Sequence, residues 1–162
     1  MAPGRGLGAA NAVAAEAVRS PGMVGELVAA LGDEREVVVV RAANALKKVQ
    51  AAKPERVMPF AKKILRAAMG CEVLFARWSL VQVVGALPLR GRDKGLAVEM
   101  MFEALRGEGG LLRTLGMQGL VNFSRDDAAL RRRVRPVVEE FLANGTPAMR
   151  ARARMLLPLV RG

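Results

Sequence analysis

The 162-residue sequence has no histidine, no tyrosine and a single cysteine, Cys71. Without histidine there is no imidazole to serve as general base, and no mixed Cys/His zinc site can form. One thiol also excludes a disulfide within the chain. Aromatic residues make up 4% of the sequence, too few to supply the exposed rings on which single-strand binders stack bases. Long apolar runs are missing as well. The longest uncharged stretch, Trp78 to Leu89, lies between Arg77 and Arg90 and falls short of the roughly 18 residues that a membrane span needs. The alanine-rich start, Met1 to Val18, is interrupted by Glu16 and has little of the hydrophobicity of a signal-peptide core. It reads as a first helix, and with a lone thiol the expected compartment is the cytoplasm.

Apolar residues account for 52% of the chain, and the formal net charge is +11. This length and apolar content suit a folded domain with a real core rather than a disordered basic tail. The sequence also repeats itself. Ala9-Ala-Asn-Ala-Val13 returns as Ala42-Ala-Asn-Ala-Leu46, and the same register places Val84, Leu120 and Leu157 as later anchors at spacings of 33, 38, 36 and 37 residues. Asn11, Asn44, Gln82 and Gln118 each stand two positions before an anchor. A second series alternates with the first: Val57-Met-Pro-Phe-Ala-Lys-Lys-Ile-Leu65 parallels Val134-Arg-Pro-Val-Val-Glu-Glu-Phe-Leu142, and Val24 to Leu31 and Ala97 to Ala104 share its apolar spacing. Apolar residues at i, i+3, i+4 and i+7 put one stripe along a helix. The repeating unit is therefore a largely buried A-type helix (7–19, 34–51, 71–87, 110–123 and 147–160) followed by a half-exposed B-type helix.

Breakers fall between these segments: Ser20-Pro21-Gly22, Lys53-Pro54, Gly70, Pro88 with Gly91, Gly107 to Gly110, and Asn144 to Pro147. Thr146-Pro147 is a helix start, a hydroxyl cap followed by proline in the first turn. The β-branched run Val37 to Val40 runs into Arg41-Ala-Ala-Asn-Ala-Leu46 and is read as helix on that flank. Pro59 and Pro136 are expected near the first turns of their helices. Cys71 is expected to open a helix, and Phe75 and Trp78 to lie in the core.

These residues resemble a HEAT repeat, the two-helix unit of α-solenoids. The A-type helices carry its pattern of an apolar residue, Arg, and a further apolar residue seven positions on: Ala76-Arg77 to Val84, Leu112-Arg113 to Leu120, and Met149-Arg150 to Leu157. Val39 and Gly6 occupy the Arg position in the first two repeats. Glu34, Glu72 and Glu108 stand five positions before that position and resemble the acidic half of an acid–arginine ladder between repeats. The resemblance implies an all-α, right-handed α-α superhelix of about four helix pairs plus a terminal helix. It would form one domain over 1–162, with repeats at approximately 5–32, 33–70, 71–107, 108–145 and a half-repeat at 146–162. It says little about activity.

The same resemblance implies a concave surface lined by B-type helices, whose outward positions include Met58, Lys62, Val98, Phe102 and Arg135. An apolar centre of Met58, Val98 and Phe102, flanked by Lys62, Lys63 and Arg135, reads as a docking surface for a segment of another protein or a peptide. The alternative partner is nucleic acid. Positive charge collects in 33–70 (net +5) and 146–162 (net +4), with Arg56, Lys62, Lys63 and Arg66 in the first cluster and Arg150, Arg152 and Arg154 in the second. Helical-repeat DNA glycosylases are similar arrays, but the carboxylates that could serve here, Asp93, Asp126 and Asp127, read as caps or loop residues. Gly4-Arg-Gly6-Leu-Gly8 and Gly107 to Gly110 lack the strand-then-helix setting of a phosphate loop. The expectation is a non-enzymatic binding protein with no cofactor and no metal.

Overall fold

The computed structural model describes residues 7–162, with side chains from Asn11 onward. The described residues form helices α1 (Leu7–Arg19), α2 (Pro21–Ala30), α3 (Glu36–Ala52), α4 (Pro54–Val57), α5 (Ala61–Met69), α6 (Leu74–Val84), α7 (Gly91–Arg106), α8 (Gly110–Ser124), α9 (Ala128–Asn144) and α10 (Pro147–Val160), and no strand occurs among them. The fold is all-helical. The β-branched run lies inside α3, where Val39 faces the core. Most helix junctions fall at a glycine or proline, because a missing N–H or a residue without Cβ stops a helix wherever tertiary packing does not override it. The α8–α9 junction, Arg125 to Asp127, has neither and is set by the Asp127 cap.

The helices gather into two compact units, divided between Pro88 and Leu89. In the first unit, A-type helices α1, α3 and α6 pack in chain order, with α2 and α4 against α3 and α5 against α6. In the second, α7 packs on α8, α9 on both α8 and α10, and α8 on α10. The repeat anchors are what these contacts bury. Leu46, Val84 and Leu120 on A-type helices, and Val24, Val57, Ala97 and Val134 on B-type helices, are fully buried. The recurrent amides have a role too. Lys48 of α3 donates to the Asn11 side chain of α1, and Arg152 of α10 donates to Gln118 Oε1 of α8 at 3.0 Å. In each unit a basic residue on one A-type helix ties to the amide preceding the anchor of another.

Three local expectations are corrected. Pro136 lies at mid-helix in α9 rather than in its first turn, because α9 begins earlier, at an Asp127 cap. The exposed ring leaves the Arg132 carbonyl without its helical donor. Pro59 sits in a 3-10 segment, Met58–Phe60, that separates α4 from α5, since the helical run starts at Pro54 and reaches Pro59 after its first turn. Cys71 lies in the connector before α6, its thiol directed to the Val73 carbonyl at 3.7 Å. Thr146 does cap α10, accepting the Met149 N–H at 3.3 Å ahead of Pro147.

Glycine sets the closest approach in the second unit. A Cβ on Gly116 of α8 would lie 2.8 Å from the Met101 carbonyl oxygen and 3.0 Å from Ala104 Cβ, both on α7. Neither neighbour is the end of a flexible side chain. Gly116→Ala is therefore expected to lower stability by about 1–3 kcal/mol in urea unfolding, the scale of core overpacking. Gly95→Ala, within α7 but facing open space, is expected to raise it by up to about 1 kcal/mol through helix propensity.

Candidate functional site

Each unit holds part of the expected docking surface. In the first, Met58, Lys62, Lys63 and Arg66 are exposed around the 3-10 segment and α5. Arg56 is half-buried, with Nη1 covered and unpaired. Phe60 turns inward over α2, its ring 3.4 Å from where a Cβ on Gly25 would stand. A larger side chain at that register position would displace it.

In the second unit, Val98 does not face outward. It is 8% exposed because α9 lies alongside that face of α7, so Val98 forms the floor of a groove of about 380 Å³ together with Leu130. Phe102, one turn further along α7, is half-buried beneath the Arg133 guanidinium, which sits 5.0 Å from its ring centroid. The rim carries both signs of charge, with Lys94 and Glu99 from α7 and Asp127 and Arg133 from the α9 side. Gly91 and Gly95, one helical turn apart, keep the α7 wall open. Arg135 is exposed, but its Nε donates to Glu139 Oε1 on its own helix at 2.8 Å.

Lys94, Asp127 and Arg133 were not legible as site residues. Asp127 reads as a cap in the sequence, and it is one: its Oδ1 accepts the Leu130 N–H at 2.9 Å. Its second oxygen takes the Lys94 ammonium at 3.2 Å. The Leu130 N–H and then Lys94 hold the Asp127 carboxyl below its ordinary value. The three consecutive arginines at 131–133 divide in function. Arg131 donates to the carbonyls of Gly162 and Arg125, Arg132 is exposed, and Arg133 covers Phe102.

The arginine positions also behave differently from a ladder. Among the described residues no ion pair joins Arg77 to Glu34 within the first unit, or Arg150 to Glu108 within the second. Arg113 instead donates from Nε to the Leu105 carbonyl at 3.1 Å and lies 5.2 Å from the Phe141 ring centroid. It thereby links α7, α8 and α9. Phe75 is 60% exposed, which corrects its expected core position: it lies on the solvent side of α6, where the half-buried Trp78 meets it edge-on at 4.9 Å. In the second basic cluster, Arg150 and Arg154 are exposed while Arg152 is engaged with Gln118.

No group of three or more metal-ligating side chains occurs among the described residues, and no described helix is long and apolar enough to cross a membrane. The groove thus combines an apolar floor, a Lys94–Asp127 pair at its rim and, beside it, an aromatic ring covered by a guanidinium.

Two measurements probe this arrangement. A carboxyl held below its ordinary value contributes stability above that value and loses it as pH falls through the lowered one. An NMR titration is expected to place the Asp127 midpoint below the ordinary 3.8. Lys94→Met should move it only part of the way back, because the stronger cause, the Leu130 N–H, remains. Arg113→Ala is expected to cost about 1 kcal/mol in thermal unfolding, the scale of one hydrogen bond and an exposed cation–π contact.

Comparison with known proteins finds no matching family model, curated protein or solved structure.

Proposed function

We propose that the chain is a non-enzymatic scaffold that holds a segment of a partner protein on its B-type helices. The observation that carries this reading is the α7–α9 groove. Its floor of Val98 and Leu130 can take apolar side chains, while Lys94, Asp127, Glu99 and Arg133 can pair with the polar groups of an extended or helical segment. Phe102 beneath Arg133 is the natural hot spot, an aromatic ring stacked with Arg at the edge of a pocket. The buried anchors and the chain-order packing of A-type helices within each unit support an architecture of HEAT-like pairs wound as a right-handed solenoid. The lone free thiol, Cys71, suits a cytoplasmic setting.

A second reading has its own observation. The α5 helix presents Lys62, Lys63 and Arg66 outward and contains no acidic residue, which suits phosphate contacts to nucleic acid. The two readings differ in salt response. Protein recovered from its native cells is expected to retain a partner protein at both low and high salt. Arg133→Glu and Phe102→Ala should each weaken that binding by at least about 2 kcal/mol with little change in the melting curve. Retention of nucleic acid instead, lost steeply as salt rises and insensitive to Arg133→Glu, would shift the assignment to α5.

A further inference from the structure

The outward side of the A-type helices carries a feature that the B-type surface does not use. Nine positions before the anchors Leu46, Val84, Leu120 and Leu157 stand Val37, Phe75, Leu111 and Ala148. All four are exposed, Val37 at 54% and Leu111 at 52%. An apolar residue left in water at the same register of four helices belongs to the repeat and is not an accident of one helix end.

In the second unit this register opens onto a groove. Between α8 and α10 lies a space of about 560 Å³ lined by Leu111, Thr114, Ala148, Ala151, Arg152 and Met155. Met155 is 70% exposed, and Leu159, one turn further along the same face, is also exposed. Ala148, Ala151, Met155 and Leu159 form a continuous strip at i, i+3, i+7 and i+11. The small alanines leave room on the strip that the larger residues border. It is a helix-width apolar track.

Charge identifies the occupant. Neither α8 nor α10 contains an aspartate or glutamate, and between them they carry Arg113, Arg150, Arg152 and Arg154, with Arg161 just beyond. Arg152 is held at the groove by its bond to Gln118 and keeps further guanidinium donors for a ligand. A second copy docking through the same face would set arginine against arginine. A concave track also suits a cylinder better than a flat lipid surface. We propose that the α8–α10 groove docks an acidic amphipathic helix of a partner protein. The apolar stripe of that helix covers Leu111 and Met155, and its carboxylates reach Arg152 and Arg154. This surface is separate from the α7–α9 groove, so either can fail without the other.

The probe is a synthetic helical peptide with leucines on one face and glutamates on the others, followed by fluorescence anisotropy. The double variant Leu111→Ser, Met155→Ser changes no charge and removes no core volume, so its melting curve should match that of the parent. It is expected to weaken peptide binding by at least about tenfold, whereas Lys94→Met in the other groove should leave binding unchanged. A peptide with lysine in place of each glutamate should not bind. Equal binding of the acidic peptide to the parent and the double variant would reduce the contact to bulk charge and overturn the proposal. So would binding to phosphatidylserine vesicles that the double variant loses while the peptide fails to bind, which would mark a membrane-facing surface instead.

Discussion

A helix of ten to seventeen residues is marginal in water, and most of its stability comes from burying one face. Everything else in this protein follows from how that requirement is met. Val24, Val57, Ala97 and Val134 on the B-type helices, and Leu46, Val84 and Leu120 on the A-type helices, are removed from water. Each lies at one register of a repeating unit, so the faces turned away from the core also repeat. The grooves, the exposed Phe75 and Leu111 and the inter-helix amides are outcomes of that phase. A one-residue slip at any anchor would rotate its helix by about 100° and bury the wrong face.

The second unit shows how close packing and surface chemistry share residues. Gly116 brings α8 against the α7 backbone, and the Arg113 side chain from the same helix reaches a carbonyl of α7 and a ring of α9. The α7–α9 groove then forms on a neighbouring face of α7, with Asp127 both capping α9 and holding Lys94 at the rim. The Lys94–Asp127 pair of its rim is therefore positioned by the N-terminus of α9 and a backbone N–H there. That gives it less rotamer freedom than a surface lysine–carboxylate pair normally has.

Periodicity and breakers made the helices and the core legible. A glycine or proline at most junctions and an apolar anchor every 33 to 38 residues need no tertiary information to interpret. The lateral neighbours were beyond reach. Val98 was expected to face outward because register locates a side chain on its own helix, and register is silent about α9 lying beside that face. Phe75 misled in the opposite sense, since an aromatic residue among apolar neighbours looks like core until the helix is rotated in place. The Lys94–Asp127 and Arg133–Phe102 contacts join residues about thirty positions apart, with no pattern to tie one to the other. Pro136 was misplaced because the Asp127 cap starts α9 earlier than proline preference alone indicates.

The position of Trp78 carries an optical consequence. With tyrosine absent and one tryptophan in the chain, near-ultraviolet emission excited at the red edge arises from a single indole on α6, in the first unit. The second unit has no such chromophore. Far-ultraviolet dichroism, by contrast, sums over the helices of both. Overlaying the two signals during unfolding thus separates the units without a label: coincident curves mean the chain melts as one cooperative block, and displaced curves resolve the order in which its halves come apart.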